Sequence, residues 1–179
     1  MRNRRSPYKK GKNYLFVDGY NIINSWNNLI KLKNVSLEDA RDELINIMIE
    51  FSHVTKEEII LVFDAYQVKK SAGKVYNEDG IKVVFTKEFE TADHFIEKEL
   101  DYIGRFTGVR VATSDNVEQQ IILSRGGTRI SARELEAEVL SQKIRTEKTL
   151  QKLKEERVYS LDEKSLDALE NLKKSLGDR

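Results

Sequence analysis

The chain has no cysteine, which excludes disulfides, thiol nucleophiles and cysteine-ligated zinc and fits a reducing compartment. No apolar run approaches the roughly 20 residues that a membrane span requires. No apolar core follows the basic start, so no secretory signal is read there. Only two histidines occur. His53 ends a helix and His94 lies on the flank of another, and both read as structural or incidental. The single proline, Pro7, leaves the rest of the chain free of that helix breaker. An excess of one charge sign is missing as well. Lysine and arginine number 31, aspartate and glutamate 30, and a formal net charge of +1 argues neither for nor against nucleic acid. Together these absences point to a soluble cytoplasmic protein with no membrane partner.

What is present fits one compact domain with additions: 179 residues, 39% apolar and 34% charged. Residues 1–12 carry Arg2, Arg4, Arg5, Lys9, Lys10 and Lys12 without an acid, and read as a basic flexible tail or a phosphate-binding arm. Strand-length apolar runs then alternate with helix-period segments, the pattern of a parallel sheet covered on both faces. Ile22, Ile23, Trp26 and Leu29 fit a short helix. Ser36 caps a second helix whose apolar stripe is Ala40, Leu44, Ile47, Met48 and Phe51. Residues 65–80 read as a long polar loop. Thr91 caps a helix through Phe95, Ile96, Leu100 and Ile103, and Ser114 or Asp115 caps the next. Thr128–Ile130 reads as a closing strand. Ser131 and Glu134 form a capping box that opens a long helix to about Arg157, and a second box at Ser160 and Glu163 opens a terminal helix. The expected architecture is α/β, with a mainly parallel sheet of about four to five strands flanked by helices. The domain spans residues 13–145, and 146–179 form a C-terminal helical extension.

The informative pattern is acidic. Tyr14–Asp18 and Ile59–Asp64 end on an aspartate, Ile81–Phe85 is followed by Asp93, and Val109–Thr113 by Asp115. Carboxyl ends of parallel strands share one edge, where ligands bind. Four carboxylates gathered there repel one another unless a cation lies between them, and a divalent metal with carboxylates points to phosphodiester chemistry. Each aspartate also has an ordinary alternative as a helix cap or turn former. Gly19 beside Asp18 permits close approach, and Asn21 one turn on can bond a carboxylate or a phosphate oxygen. Candidate phosphate contacts are Lys69, Lys70 and Lys74 in the loop, Arg105, Arg125 and Arg129 near element ends, and Ser114 beside Asp115. Tyr20, Tyr66 and Tyr76 are candidates for stacking on bases.

Tyr14-Leu15-Phe16-Val17-Asp18-Gly19-Tyr20-Asn21, Val62-Phe63-Asp64-Ala65, Val84-Phe85-Thr86 with Thr91-Ala92-Asp93, and Thr113-Ser114-Asp115 resemble, in that order and spacing, the NYN domain of the bacterial YacP-like branch. The resemblance covers about residues 13–145. It implies a PIN-like three-layer fold and a metal-dependent endoribonuclease. It assigns Asp18, Asp93 and Asp115 to Mg²⁺ or Mn²⁺, with Asp64 and Asn21 in support. It further implies messenger RNA as substrate and a link to the ribosome; no preference for DNA is evident. Two other phosphate chemistries fit poorly. A receiver domain wants an acidic pair at the first strand's end, where this chain has Asp18 and Gly19. A haloacid-dehalogenase-type phosphatase wants Asp-x-Asp, and Tyr20 fills its third position. The serious alternative is a non-catalytic RNA- or ribosome-binding adaptor in which the acids are only caps.

Overall fold

Six strands form in the computed structural model, which describes residues 8–9, 11–64, 72–103, 108–113 and 126–177. In chain order the elements are β1 (Asn13–Asp18), α1 (Gly19–Ile23), α2 (Asn27–Lys33), α3 (Leu37–Ser52), β2 (Glu57–Phe63), β3 (Ala72–Glu78), β4 (Ile81–Lys87), α4 (Ala92–Ile103), β5 (Val109–Ala112), β6 (Thr128–Ile130) and α5 (Ala132–Gly177). The sheet runs β3-β4-β2-β1-β5-β6, and every neighbouring pair is parallel except β3 with β4. Both faces of the central strands β1 and β2 are apolar because both are covered. Leu15, Val17, Ile59, Leu61 and Phe63 face a cluster with the helices α1–α3 and the start of α5, whereas Tyr14, Phe16, Ile60 and Val62 face α4. The two-residue period of the strand thus assigns each side chain to a layer.

The capping signals read from sequence are in place. Ser36 accepts from the Asp39 amide at 3.1 Å and Thr91 from the His94 amide at 3.2 Å. Ser131 and Glu134 bond reciprocally through both backbone amides, at 2.8 and 3.2 Å. Three expectations change. The segment from Ile22 to Leu29 is two helices, because Trp26 is extended (φ −88°, ψ 127°) and turns its indole inward to donate to the Ala132 carbonyl at 2.8 Å. The stretch read as a polar loop holds a sixth strand, β3, folded back on β4 by a two-residue turn at Asp79-Gly80, both with positive φ (37° and 93°). That pair is the strongest short hairpin signal there is. Lastly, no helix break occurs between Arg157 and Ser160: α5 is one helix, and the chain holds neither glycine nor proline from Ala132 to Leu176.

Met1–Val139 form one compact unit and Leu140–Arg179 a second, with α5 belonging to both. Along the second unit Leu140, Ile144, Leu150, Leu153 and Leu166 are each at least half exposed. Of the basic start, Tyr8 packs edge-on against Tyr14 at 5.0 Å and its hydroxyl donates to Glu99, while Lys12 pairs with Glu58 at 2.8 Å. No described helix is long and apolar enough to cross a membrane.

At the amino-terminal half of the strands, Arg110 of β5 forks onto Glu57 of β2 (2.9 and 2.7 Å) and onto Glu138 of α5 (both 2.9 Å). These bonds hold its guanidinium above its ordinary pKa. Arg110→Ala would leave two carboxylates facing each other, one of them only 13% exposed. Urea unfolding should report a loss of about 2–3 kcal/mol at unchanged m-value. A midpoint equal to wild type would show the network to be dispensable.

Candidate functional site

Asp18 leaves β1 with an extended backbone and caps α1, its Oδ1 accepting from the Asn21 amide at 3.1 Å. The pleat that sends Tyr14 and Phe16 towards α4 carries Asp18 the same way. Asp64 follows the last residue of β2, and Asp93 lies in the first turn of α4, where the helix dipole favours a carboxylate. Because β1, β2 and β4 are parallel, all three acids stand at one edge of the sheet. They line a single cavity of about 340 Å³ together with Tyr20, Asn21, Asn24 and Thr91. Connections leave the neighbouring strands β1 and β5 in opposite directions, so this edge also holds the topological switch point.

The electrostatics are those of a buried acid with other acids near it. Burial, first of all, raises the Asp18 carboxyl from 3.8 to about 6; the Asn21 and Tyr20 amides pull it down, and the charges of Asp93 and Asp64 push it up. Among the described residues no three His, Cys, Asp or Glu side chains stand close enough to chelate an ion by themselves. The donors are carboxylate and carboxamide oxygens, hard ligands of the kind that Mg²⁺ and Mn²⁺ prefer. Mg²⁺ commonly keeps several waters and takes only one or two carboxylates plus substrate phosphate. An open acidic cavity therefore fits a hydrated divalent ion rather than a closed cage.

Of the other residues singled out in the sequence, Asn21 lines the cavity. Lys74 is exposed on β3, its Nζ 4.6 Å from the centre of the Tyr76 ring, and does not line it. Arg129 sits on β6, away from the cavity lining, with its Nε buried and without a hydrogen-bond partner among the described residues. Asp115, Ser114, Lys69, Lys70, Arg105, Arg125 and Tyr66 lie outside the described residues. At the end of β5, the residue before Ser114, Thr113, is fully buried and bonds to Ile130 at 3.1 Å. Sequence reasoning passed over Asn24, whose Oδ1 accepts from Lys33 Nζ at 2.6 Å. It lies three residues after Asn21, the spacing that puts two helical side chains on one face.

From Tyr20 a row of aromatic rings crosses the sheet: Tyr20 on Phe63 (5.4 Å), Phe63 stacked on Phe85 (5.2 Å) and Phe85 stacked on Tyr76 (6.5 Å). Arg41 lies 5.8 Å over Phe85 and donates to the Tyr20 hydroxyl at 3.3 Å. Gly19 is glycine for a contact reason. A Cβ there would come within 2.3 Å of the Phe63 ring.

The family model for the YacP-like NYN domain matches residues 15–176. The Bacillus subtilis (strain 168) protein YacP is 44% identical over 144 residues, which cover 80% of this chain and 84% of that one. Two crystal structures of Rae1 (YacP) from Bacillus subtilis share the fold. One superposes with a TM-score of 0.70 at 41% identity, covering 90% of this chain and 94% of that chain. The other, of a point variant, gives 0.69 at 42% identity, covering 79% and 83%. The chain belongs to the YacP-like NYN domain family, within the PIN-like nuclease superfamily.

Proposed function

We propose that this protein is a metal-dependent endoribonuclease that cuts messenger RNA in a ribosome-associated setting in the cytoplasm. The observation that carries the reading is the convergence of Asp18 and Asp64 from two strand ends and Asp93 from the first turn of α4 on one cavity, where burial and the neighbouring acids raise the Asp18 carboxyl. Asp18 and Asp93, with Asp115, would hold Mg²⁺ or Mn²⁺, and Asp64 would support them. A divalent ion bound there supplies acidity to a water and screens charge on the phosphoryl oxygens. Asn21 and Asn24 can donate their amide hydrogens to a phosphate oxygen at the cavity wall. Arg41 and Lys74, seated on Phe85 and Tyr76, put positive charge and ring surface along one flank, the combination that single-stranded nucleic acid uses. Ser114, Lys69, Lys70 and Arg129 are further RNA contacts in this proposal. The nuclease unit is taken as residues 13–145, with 1–12 as a basic tail and 146–179 as an extension.

The second reading is the RNA- or ribosome-binding adaptor. One observation favours it: Asp18 and Asp93 each already have a helix-start role. A cleavage assay on end-labelled RNA, with Mg²⁺, Mn²⁺ or EDTA and with or without ribosomes, separates the two. The nuclease reading expects endonucleolytic products carrying a 5′-phosphate that vanish in EDTA. Intact RNA under every condition, with RNA still bound, would establish the adaptor. Cleavage of naked RNA would remove only the need for the ribosome.

A further inference from the structure

Building on the reading of the acidic cavity as an RNA-cleaving site, we propose that Phe89 is the residue on which a nucleobase of the single-stranded substrate stacks. Between β4 and α4 the chain turns through Lys87–Glu90, closed by the Glu90 amide donating to the Lys87 carbonyl at 3.0 Å. Phe89 is the third residue of that turn. Its φ is 68° and its side chain is 99% exposed. With a positive φ only at the third position, this is a type II turn, which calls for glycine or asparagine there. The one other non-glycine residue with left-handed φ among the described residues, Asp79, sits in a hairpin turn that favours it. A single exposed apolar side chain is ordinary. One that also forces a bulky residue into left-handed backbone is not, since glycine would serve the fold better on both counts.

The turn does not need the ring. Thr86 Oγ1 donates to the Glu90 carbonyl at 2.6 Å, the Glu90 carboxylate accepts from the Lys87 amide at 3.4 Å, and Lys98 lies 3.8 Å from it. None of these bonds involves the Phe89 side chain, which is left free to act outside the fold. Its position says on what. Two residues further on, Thr91 lines the acidic cavity, and Asp93 follows. Two residues of chain span at most about 7 Å, so the Phe89 backbone stands close to the cavity wall at Thr91, with its ring out in solvent. Glu88 and Glu90 flank it, offset by Lys87 in the same turn and by Lys98 beside Glu90, so the turn presents no net positive charge to a phosphate. What the turn offers a nucleic-acid strand is therefore a flat aromatic face, and every base has a matching one.

The test is the affinity of a mixed-sequence single-stranded RNA dodecamer, followed by fluorescence anisotropy in EDTA so that nothing is cut, together with the melting temperature of each variant. Phe89→Ala should weaken binding by about 10-fold, within the roughly 5- to 150-fold range of one base stack, and Phe89→Tyr should restore it. Phe89→Gly should weaken binding like alanine yet raise the melting temperature, because the left-handed position suits it. A structural role predicts the reverse: both small residues would lower the melting temperature. Unchanged affinity in Phe89→Ala overturns the proposal. So does a change in sedimentation alone, which would make the ring a contact to a second copy. If wild type binds RNA through Phe89 but never cleaves it, stacking stands and the nuclease reading falls. If it cleaves and Phe89→Ala binds equally well, the outcome is the opposite.

Discussion

Replacing Asp18 by asparagine should cripple RNA cleavage while making the protein harder to unfold. The two effects share one cause. Burial and the neighbouring Asp93 and Asp64 make an ionised Asp18 costly, and raise its carboxyl to about 6 from 3.8. The folded state therefore holds this proton more tightly than the unfolded chain does. Below pH 3.8 both states are protonated and nothing is lost. As pH rises from there to about 6 the folded state loses stability, and above 6 the full cost, on the order of 2–3 kcal/mol, is present. Asparagine removes that cost and keeps the cap, since asparagine and aspartate are equivalent helix N-caps for the Asn21 amide. In EDTA at pH 7.5 the variant should melt roughly 5 °C above wild type. The difference should shrink towards zero when both are measured near pH 4. Cleavage should fall by about 10³-fold, the loss of several kcal/mol of charge stabilisation at the phosphodiester. A variant that cleaves like wild type would remove Asp18 from the chemistry. One that melts lower at pH 7.5 would show that the carboxylate serves the fold.

Gly19→Ala should damage both fold and activity, for a steric reason alone. The Gly19 backbone is not in the left-handed region, so alanine is conformationally acceptable there. Its methyl, however, would sit 2.3 and 2.5 Å from the Cε1 and Cδ1 atoms of Phe63. Phe63 has no exposed surface and is held between Tyr20 and Phe85, so its ring cannot retreat without disturbing the aromatic row beside the cavity. Overpacking of this kind costs about 2–3 kcal/mol, or roughly 6 °C of melting temperature. Gly19 lies between Asp18 and Asn21, so residual activity should drop about 10-fold through misplacement of both. Adding Phe63→Leu to the alanine variant should recover stability in part. An alanine variant as stable as wild type would mean that the β1–α1 joint is looser than its contacts show.

The parallel sheet and its acidic edge were legible because each βα unit repeats one statement, an apolar run and then an aspartate. The order of the strands made Asp18, Asp64 and Asp93 neighbours. Strand β3 went unread because Lys74, Asn77 and Glu78 make an edge strand look like loop. Its Asp79-Gly80 turn was nevertheless visible. The continuity of α5 was masked by Ser160 and Glu163, which imitate a helix start, although nothing before them stops the preceding helix. Phe89 carried no signal at all. One phenylalanine among acids has no periodicity, and both its left-handed backbone and its exposure belong to the folded turn. Asn24 was within reach, one helical turn beyond an asparagine already singled out.

The account turns on whether the carboxylates gathered at this edge of the sheet act jointly on a cation, and a calorimetric titration of the metal-free protein with Mn²⁺ measures that most directly. It predicts saturable binding in wild type that is lost in both Asp18→Asn and Asp93→Asn, with each variant still folded. Absence of binding up to millimolar Mn²⁺, or binding that survives both substitutions, would contradict it.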